Sequence, residues 1–515
     1  MVKKWKRTSG LLSIILALTA LLSACGGSSG GDKAATENTQ PAASSANSEE
    51  PAKTNAKPYE LTLAYLQLNE MPDTPLVEAE ISKITKAKIN ATVKLLPIGI
   101  SAWAQQTNLM LAGNEKMDLM VSSSLFNFGS QVAKGQLEPL DDLLKKHGQG
   151  IVDVVGQKLI DGSIVDGKIY GVPSLRDIGG DFGVIMRKDL VDKYKIDLSK
   201  IKTWADLEPV FKTIKDNEPG LAPLAHQANT KQTATNIYAA NVDSLGDNLG
   251  VIADAGTSTK IVNLFETKDF TESVALTRKW YQAGYIMKDA ATSQETGSNL
   301  VKAGKAFAYT SNMKPGFEQQ EANITGKEMV AVRLTRPLAD SVSITGFMVS
   351  ITKNSEDPER AMQFMNLMYT DKDIANLISL GIEGKHYVKK SDNIIALPEG
   401  VKQSGYAFNQ WEVGNNFLTY VWEGTDPNIW ELMKKHNDNA VKSTAIGFTF
   451  NVEPVKTEIA AATNVLNQYK VGLESGTLDP ALTGEFNTKL KAAGLDKIIV
   501  EKQKQLDEWL KKSGK

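Results

Sequence analysis

Tyr59-Glu-Leu-Thr-Leu-Ala-Tyr-Leu66, Ala91-Thr-Val-Lys-Leu-Leu96 and Asp118-Leu-Met-Val-Ser122 are three short runs of strand character. The first reads as a buried strand, and the second alternates Thr92 and Lys94 against Val93 and Leu95. Helical spacing fills the gaps. Asp73 and Pro75 mark a helix start, after which Val77, Ile81 and Ile84 recur on one face; Ser101 to Ala112 is a second helical stretch. Repeated β-α-β units imply a mainly parallel sheet with helices on both faces. In such sheets a ligand sits beyond the carboxyl ends of the strands.

Upstream, the chain divides by its physics. Lys3, Lys4, Lys6 and Arg7 form a positive segment, and Leu11 to Leu22 an apolar run of about a dozen residues. That length suits a signal peptide and falls short of the roughly 20 residues that span a bilayer. Leu22-Ser23-Ala24-Cys25-Gly26 looks like a bacterial lipobox, so residues 1–24 are expected to be removed and Cys25 to carry a lipid. An ordinary secretory peptide is the alternative. It would leave the chain's one cysteine as a free thiol, which exported proteins rarely keep. Diacylation also supplies the second acyl chain that stable anchoring needs. Gly26 to Lys57 has no Ile, Leu, Val, Met or aromatic residue, so residues 25–58 are expected to be a disordered tether spanning roughly 30 Å.

The 457 residues after the tether exceed one hydrophobic core, and two domains are expected. The formal net charge is −2 and becomes about −6 once the signal segment is gone. No basic domain is visible, which argues against a nucleic-acid partner. His147, His226, His386 and His436 lie far apart, and no His/Cys pattern of metal-ligand spacing occurs. Gly162 to Lys168 has phosphate-loop spacing, but Ile169 stands where a hydroxyl must hold magnesium.

Further on, Asp166-Gly-Lys-Ile-Tyr-Gly-Val-Pro173 suits an extended crossover better than a core strand. Phe182 to Arg187 and Lys305 to Thr310 read as strands. Thr203 with Asp206 forms a capping box. Helices are expected near Thr271 to Ala283, after Asp357-Pro358, from Asp371 to Gly381, and along Ile459 to Leu473.

Gly167-Lys-Ile-Tyr-Gly-Val-Pro173, Arg187-Lys-Asp-Leu190, Gly381-Ile-Glu-Gly-Lys-His-Tyr387, Phe448-Thr-Phe-Asn451 with Pro454-Val455, and Gly494-Leu-Asp496 stand in order along the chain. Together they resemble family 1 of the bacterial extracellular solute-binding proteins of ABC importers, the maltose-binding-protein superfamily, and most nearly its large LplA- and YtcQ-like lipoproteins. The resemblance implies a two-lobed, type II periplasmic-binding-protein-like α/β fold, each lobe a mainly parallel sheet flanked by helices. Crossovers are expected near Gly171–Leu175, Leu334–Ala339 and Tyr387–Leu397. Residues 59–173 and 334–390 would then form lobe 1, and 174–333 and 391–515 lobe 2. The resemblance further implies a monomer held by its lipid on the outer face of a Gram-positive cell membrane, capturing a carbohydrate, with ABC permease subunits as partners. Some relatives carry a calcium loop; no Asp-x-Asp-x-Asx-Gly occurs here, which puts calcium in doubt, and no cofactor is expected.

A sugar presents hydroxyls and flat C–H faces, and its cleft calls for aromatic platforms ringed by polar side chains. Loops after the strands supply candidates: Asn69 and Glu70, Trp103, Ser123 with Asn127, Arg176 and Asp177, Asn312, and Glu383 in its Gly-rich turn. Trp411 and Trp422 join them because their neighbours are polar and turn-forming, whereas Trp204 and Trp280 fit a core. Two rival readings share this composition. Glu412 and Glu423 beside tryptophans would be the carboxylate pair of a carbohydrate-active enzyme, and a sugar-sensing surface protein would use the same fold.

Overall fold

The computed structural model describes residues 57–512 except Asn69, Ser101, 227–231 and Gln294. The signal segment, Cys25, the tether and Asn69 therefore lie outside the described residues. A five-stranded sheet runs in the order Ala91–Gly99, Tyr59–Gln67, Leu119–Ser122, Met348–Ile351, Val172–Pro173. The first three strands are parallel, as the opening pattern requires. Leu61 to Leu66 are all buried except that Thr62 keeps a sliver of exposure, the mark of a strand covered on both faces. Helix Thr74–Ile89 buries Val77 and Ile81 and stops at Asn90, whose left-handed φ of 50° ends it. Met348–Ile351 enters from far along the chain, antiparallel to Leu119–Ser122, and Val172–Pro173 takes the edge, where a proline costs no ladder bond. Before it, Asp166 (φ 49°) and Gly167 (φ 80°) turn a small hairpin between Ile164–Val165 and Lys168–Ile169.

A four-stranded sheet follows, in the order Met329–Arg333, Asp181–Arg187, Ala306–Met313, Ala222–Leu224. Here the expectation of a mainly parallel sheet is corrected. Only Ala306–Met313 with Ala222–Leu224 is parallel; the other two pairings are antiparallel. The strand that brings the chain across from the first sheet wedges between two strands joined by helix Phe317–Thr325, and both run against it. Helices Lys268–Gln282 and Lys456–Glu474 share a core with Leu495–Lys512 through Phe270, Leu473 and Ile498, and Trp280 is fully buried.

The two sheets are joined by three straps that lie side by side. Gly180 and Leu338 exchange backbone hydrogen bonds (3.0 and 2.9 Å), and Leu338–Ala339 pairs with Val441–Lys442. Asn437 accepts the amide of Ile178 (2.8 Å) and donates to the carbonyl of Arg176 (2.7 Å). Asn437–Ser443 pairs beside the first two expected crossover segments, whereas Tyr387–Leu397 does not. The latter stretch folds into a small sheet of Val388–Lys389, Ile394–Ala396 and Val421–Trp422, and Tyr406, Phe408 and Val413 pack into the first core.

One carboxylate fastens two straps. Asp243, fully buried, accepts the amide of Ser341 (2.8 Å), the hydroxyls of Ser341 and Ser443 (2.6 Å each) and the amide of Leu245 (3.0 Å). Removing a buried acceptor leaves its donors without water or partner. Asp243→Ala is therefore expected to cost about 3–5 kcal/mol, measured as a lowered urea midpoint; an unchanged midpoint would show that the straps hold without it.

Candidate functional site

Gln67, Gly99, Ser122 and Pro173 all end at one edge of the first sheet, where Met348 begins. The loops that follow, and the 341–347 segment that precedes Met348, gather there as the topology rule demands. A loop from Asn409 to Asn416 lies over this edge. Glu412 Oε2 accepts the amide of Leu66 (2.8 Å), Leu175 N donates to Gly414 O (2.9 Å), and Asn416 N donates to Leu175 O (3.0 Å).

This anchorage places half-buried Trp411 against Phe347, ring centroids 4.5 Å apart and planes at 65°. The Arg176 guanidinium lies 5.6 Å from the centre of the Phe347 ring, within cation–π range. Arg176 Nη1 donates to the Asp177 carbonyl (2.7 Å) and stands 3.7 Å from the Asp177 carboxylate. Asp177 is also 3.6 Å from Lys314 Nζ, just past the strand Ala306–Met313 of the second sheet. Lys314 and Gly316 line a cavity of about 240 Å³ with Gln410, Trp422 and Trp430. Trp411, Phe347, Arg176, Asp177 and Lys314 thus form a continuous path from one sheet to the other.

The charges along this path are paired. Arg176 and Lys314 share Asp177, and Arg333 lies 3.4 Å from Asp181 and 3.8 Å from Glu318. Burial pushes the Asp181 carboxyl above the usual carboxylate range, with Arg333 and His436 opposing. Three cations face three carboxylates, so the site offers aromatic faces and hydrogen-bonding groups with formally balanced charge.

Of the residues singled out from sequence, the structure brings Arg176, Asp177, Trp411 and Trp422 to this place. Asn312 is exposed two residues before Lys314. Glu70 and Asn127 are exposed on loops at the first sheet's edge, Asn127 with a left-handed φ of 68°. Ser123 is buried and accepts the amide of Leu125 (3.0 Å), which makes it a cap. Trp103 is a correction: its ring is 0% exposed in the first core. Its helix buries Thr107, Met110 and Leu111 on the same face, so the tryptophan turns inward. Glu383 pairs with Lys389 (2.9 Å) beside the small sheet and does not line the cavity at Trp422. Phe347, Lys314 and Gln410 were missed; Lys314-Pro315-Gly316 follows directly on Ala306–Met313, a little beyond the expected strand Lys305–Thr310, and that position was the signal.

The rival carboxylate pair does not converge. Glu412 is enclosed at the end of Tyr59–Gln67, Glu423 is exposed, and neither lines the cavity beside Trp422. Among the described residues no group of three or more His, Cys, Asp or Glu is placed to hold a metal, and no helix is long and apolar enough to cross a membrane.

Two α/β lobes strapped together, with a paired-charge aromatic site where their sheet edges meet, define a type II periplasmic-binding-protein fold. The chain belongs to the bacterial extracellular solute-binding protein family, whose profile matches residues 71–375; a domain of unknown function matches 444–511. It is therefore an extracellular or surface protein. It is 28% identical, over 99% of both chains, to a carbohydrate ABC transporter substrate-binding protein of Streptococcus pneumoniae serotype 4. It is 25% identical to the polygalacturonan/rhamnogalacturonan-binding protein YtcQ of Bacillus subtilis, over 47% of this chain and 50% of that one. The crystal structure of the N-glycan transport solute-binding protein NgtS of Streptococcus pneumoniae is similar with a TM-score of 0.80, at 28% identity, over 88% of this chain and 99% of that one. The same protein in complex with Man5GlcNAc gives 0.69, at 28% identity and the same coverage.

Burial pushes the Glu412 carboxyl up to about 8, against the amide of Leu66 and the side chain of Asn409, which pull it down. A carboxyl raised on folding binds its proton more tightly in the native state, so its contribution to stability falls as pH rises from about 4.5 to about 8. Glu412→Gln is expected to flatten the pH dependence of the melting temperature in that window. An unaltered slope would remove Glu412 as its source.

Proposed function

We propose that this protein is the solute-capturing lipoprotein of an ABC importer, taking a neutral oligosaccharide between its lobes at Trp411, Phe347 and Arg176 and delivering it to permease subunits. The observation that carries the reading is the aromatic pair set among charges that are already balanced. The C–H faces of a sugar lie on Trp411 and Trp422, and its hydroxyls exchange hydrogen bonds with Gln410, Asp177 and Lys314. A uronate would add an anion to a site whose cations already have carboxylate partners, so neutral glycans are preferred. The relatives that transport carbohydrate or N-glycans support the same class of ligand.

The packing supports lobes of about 59–173 with 341–436 and of about 174–333 with 444–512, a division that carries the 391–436 stretch from the second lobe to the first. Ligand held by both lobes favours the closed arrangement, and the straps bend to allow it. The protein acts as a monomer without catalysis, tied by lipidated Cys25 to the outer face of a Gram-positive membrane, with residues 25–58 as tether.

Calorimetric titration tests the site. Trp411→Ala is expected to weaken binding of neutral oligosaccharides by about tenfold or more, or about 1.4 kcal/mol at least, without product appearing in wild-type mixtures. Undiminished affinity, or turnover lost in Glu412→Gln, would overturn the reading. Fractionation tests the anchor: Cys25→Ala is expected to be released to the medium and still to bind solute, and a variant that stayed with the membrane would exclude lipidation there.

A further inference from the structure

A second cavity, of about 680 Å³, shares no lining residue with the Trp422 cavity and falls within the size range of small-molecule sites. One wall is the Asp161–Gly167 stretch with the end of helix Phe128–Ala133; the other is Ile446–Pro454 with the last helix, Leu495–Lys512. Ten residues of that second wall fall within 444–511, the segment matched as a domain of unknown function. Trp509 stands on this wall, half-buried, its ring 5.9 Å from Phe448 and edge-on to it. Asp161, whose carboxylate accepts the side-chain amide of Gln157 (2.7 Å), and Asp166 line the groove, the second at the tip of a hairpin fixed by the left-handed Asp166-Gly167 turn. Asn451 and Gln505 line it too, locked together by backbone-to-amide bonds of 2.9 and 3.0 Å. Thr449 Oγ1 is enclosed on the same wall without a hydrogen-bond partner. Three lysines are offset by four carboxylates around the rim. Such a balance selects neither a polyanion nor a polycation, and an aromatic ring beside the unpartnered Thr449 hydroxyl suits a neutral sugar.

The groove and the first site adjoin across one short helix. Gly162, on the groove wall, packs so closely on Ile344 that a Cβ there would lie 2.7 Å from its Cδ1. Helix Ser341–Thr345, which carries Ile344, leads directly into Gly346 and Phe347. A Cβ on Gly346 would lie 3.5 Å from Arg176 Nη2. At the seam the backbones of Gly162 and Gly447 touch: a Cβ on Gly447 would stand 2.5 Å from Gly162 Cα. Exposed Asn127 immediately precedes the helix whose Gly129 and Ala133 line the groove.

We propose that residues 444–511 wall a second saccharide-contacting groove, which takes the outer sugars of an oligosaccharide whose inner sugars occupy Trp411 and Phe347. The segment of unknown function is then a length gauge, adding contacts that only a longer chain can reach. This rests on the reading of the Trp411 site as a saccharide site.

The test is calorimetry on the whole processed chain with neutral mannose, glucose and galactose oligosaccharides of two and five sugars. Trp509→Ala is expected to weaken the pentasaccharide by about tenfold or more and to leave the disaccharide within about twofold. Ala133→Arg, which adds bulk from an exposed helix end without touching a core, is expected to do the same and serves if Trp509→Ala unfolds. Trp411→Ala is expected to weaken both lengths. If the Trp509 and Ala133 variants bind both lengths like wild type, or lose both equally, this inference falls while the first site stands. If Trp411→Ala is also silent, or wild type binds no saccharide, both fall.

Discussion

The arrangement of this molecule depends on one buried carboxyl group. Asp243 sits on a two-residue strand of the second lobe, and its donors arrive from two straps far apart in the chain, at Ser341 and Ser443. In a dry environment a hydrogen-bonding group left without its partner is expensive. The two straps therefore have one favourable relative position at that point and are free only beyond it. Where the sheet edges meet, and so which side chains face each other there, follows from that fastening.

The site itself is built by backbone bonds more than by rotamers. Trp411 is on a loop with no regular structure beyond a single 3₁₀ turn, yet its neighbours on both sides are bonded to Leu66 and Leu175 at the ends of strands. Its ring is thus positioned by the first sheet, and Lys314 by the second. Preorganisation of this kind reduces what must be ordered when a ligand arrives. Burial favours the neutral form of the anchoring Glu412 carboxyl, so the loop is held with less charge to bury.

The first sheet was legible because its opening strands and helices are consecutive and long enough to show their periods. The strand Met348–Ile351 was not, since four residues, all buried, carry no alternation and their partners, Leu119–Ser122 and Val172–Pro173, lie far back in the chain. With it went Phe347. The second sheet's direction was equally hidden: strand direction depends on how the chain crosses from the other lobe, which no local pattern records. Trp103 and Trp411 show the same limit from the other side. The spacing 103, 107, 110, 111 is an inward helical face and marks a core tryptophan, a signal that outweighs its place after a strand. Trp411 had only polar neighbours to recommend it, and those neighbours are the anchors. The strap at Asn437–Ser443 was missed because the glycine-rich turn at Gly381–Tyr387 has a crossover's composition, while Val441–Lys442 is a two-residue strand.

Gly162 against Gly447 is a meeting of two bare backbones. With no side chains to interlock, nothing must be unthreaded when the surfaces separate and little apolar area returns to water. The pair behaves as a mechanical stop: it halts approach abruptly and offers almost no adhesion. A methyl group at Gly162 would press on the Ile344 side chain as well, and one at Gly447, whose φ is 87°, would strain the backbone besides.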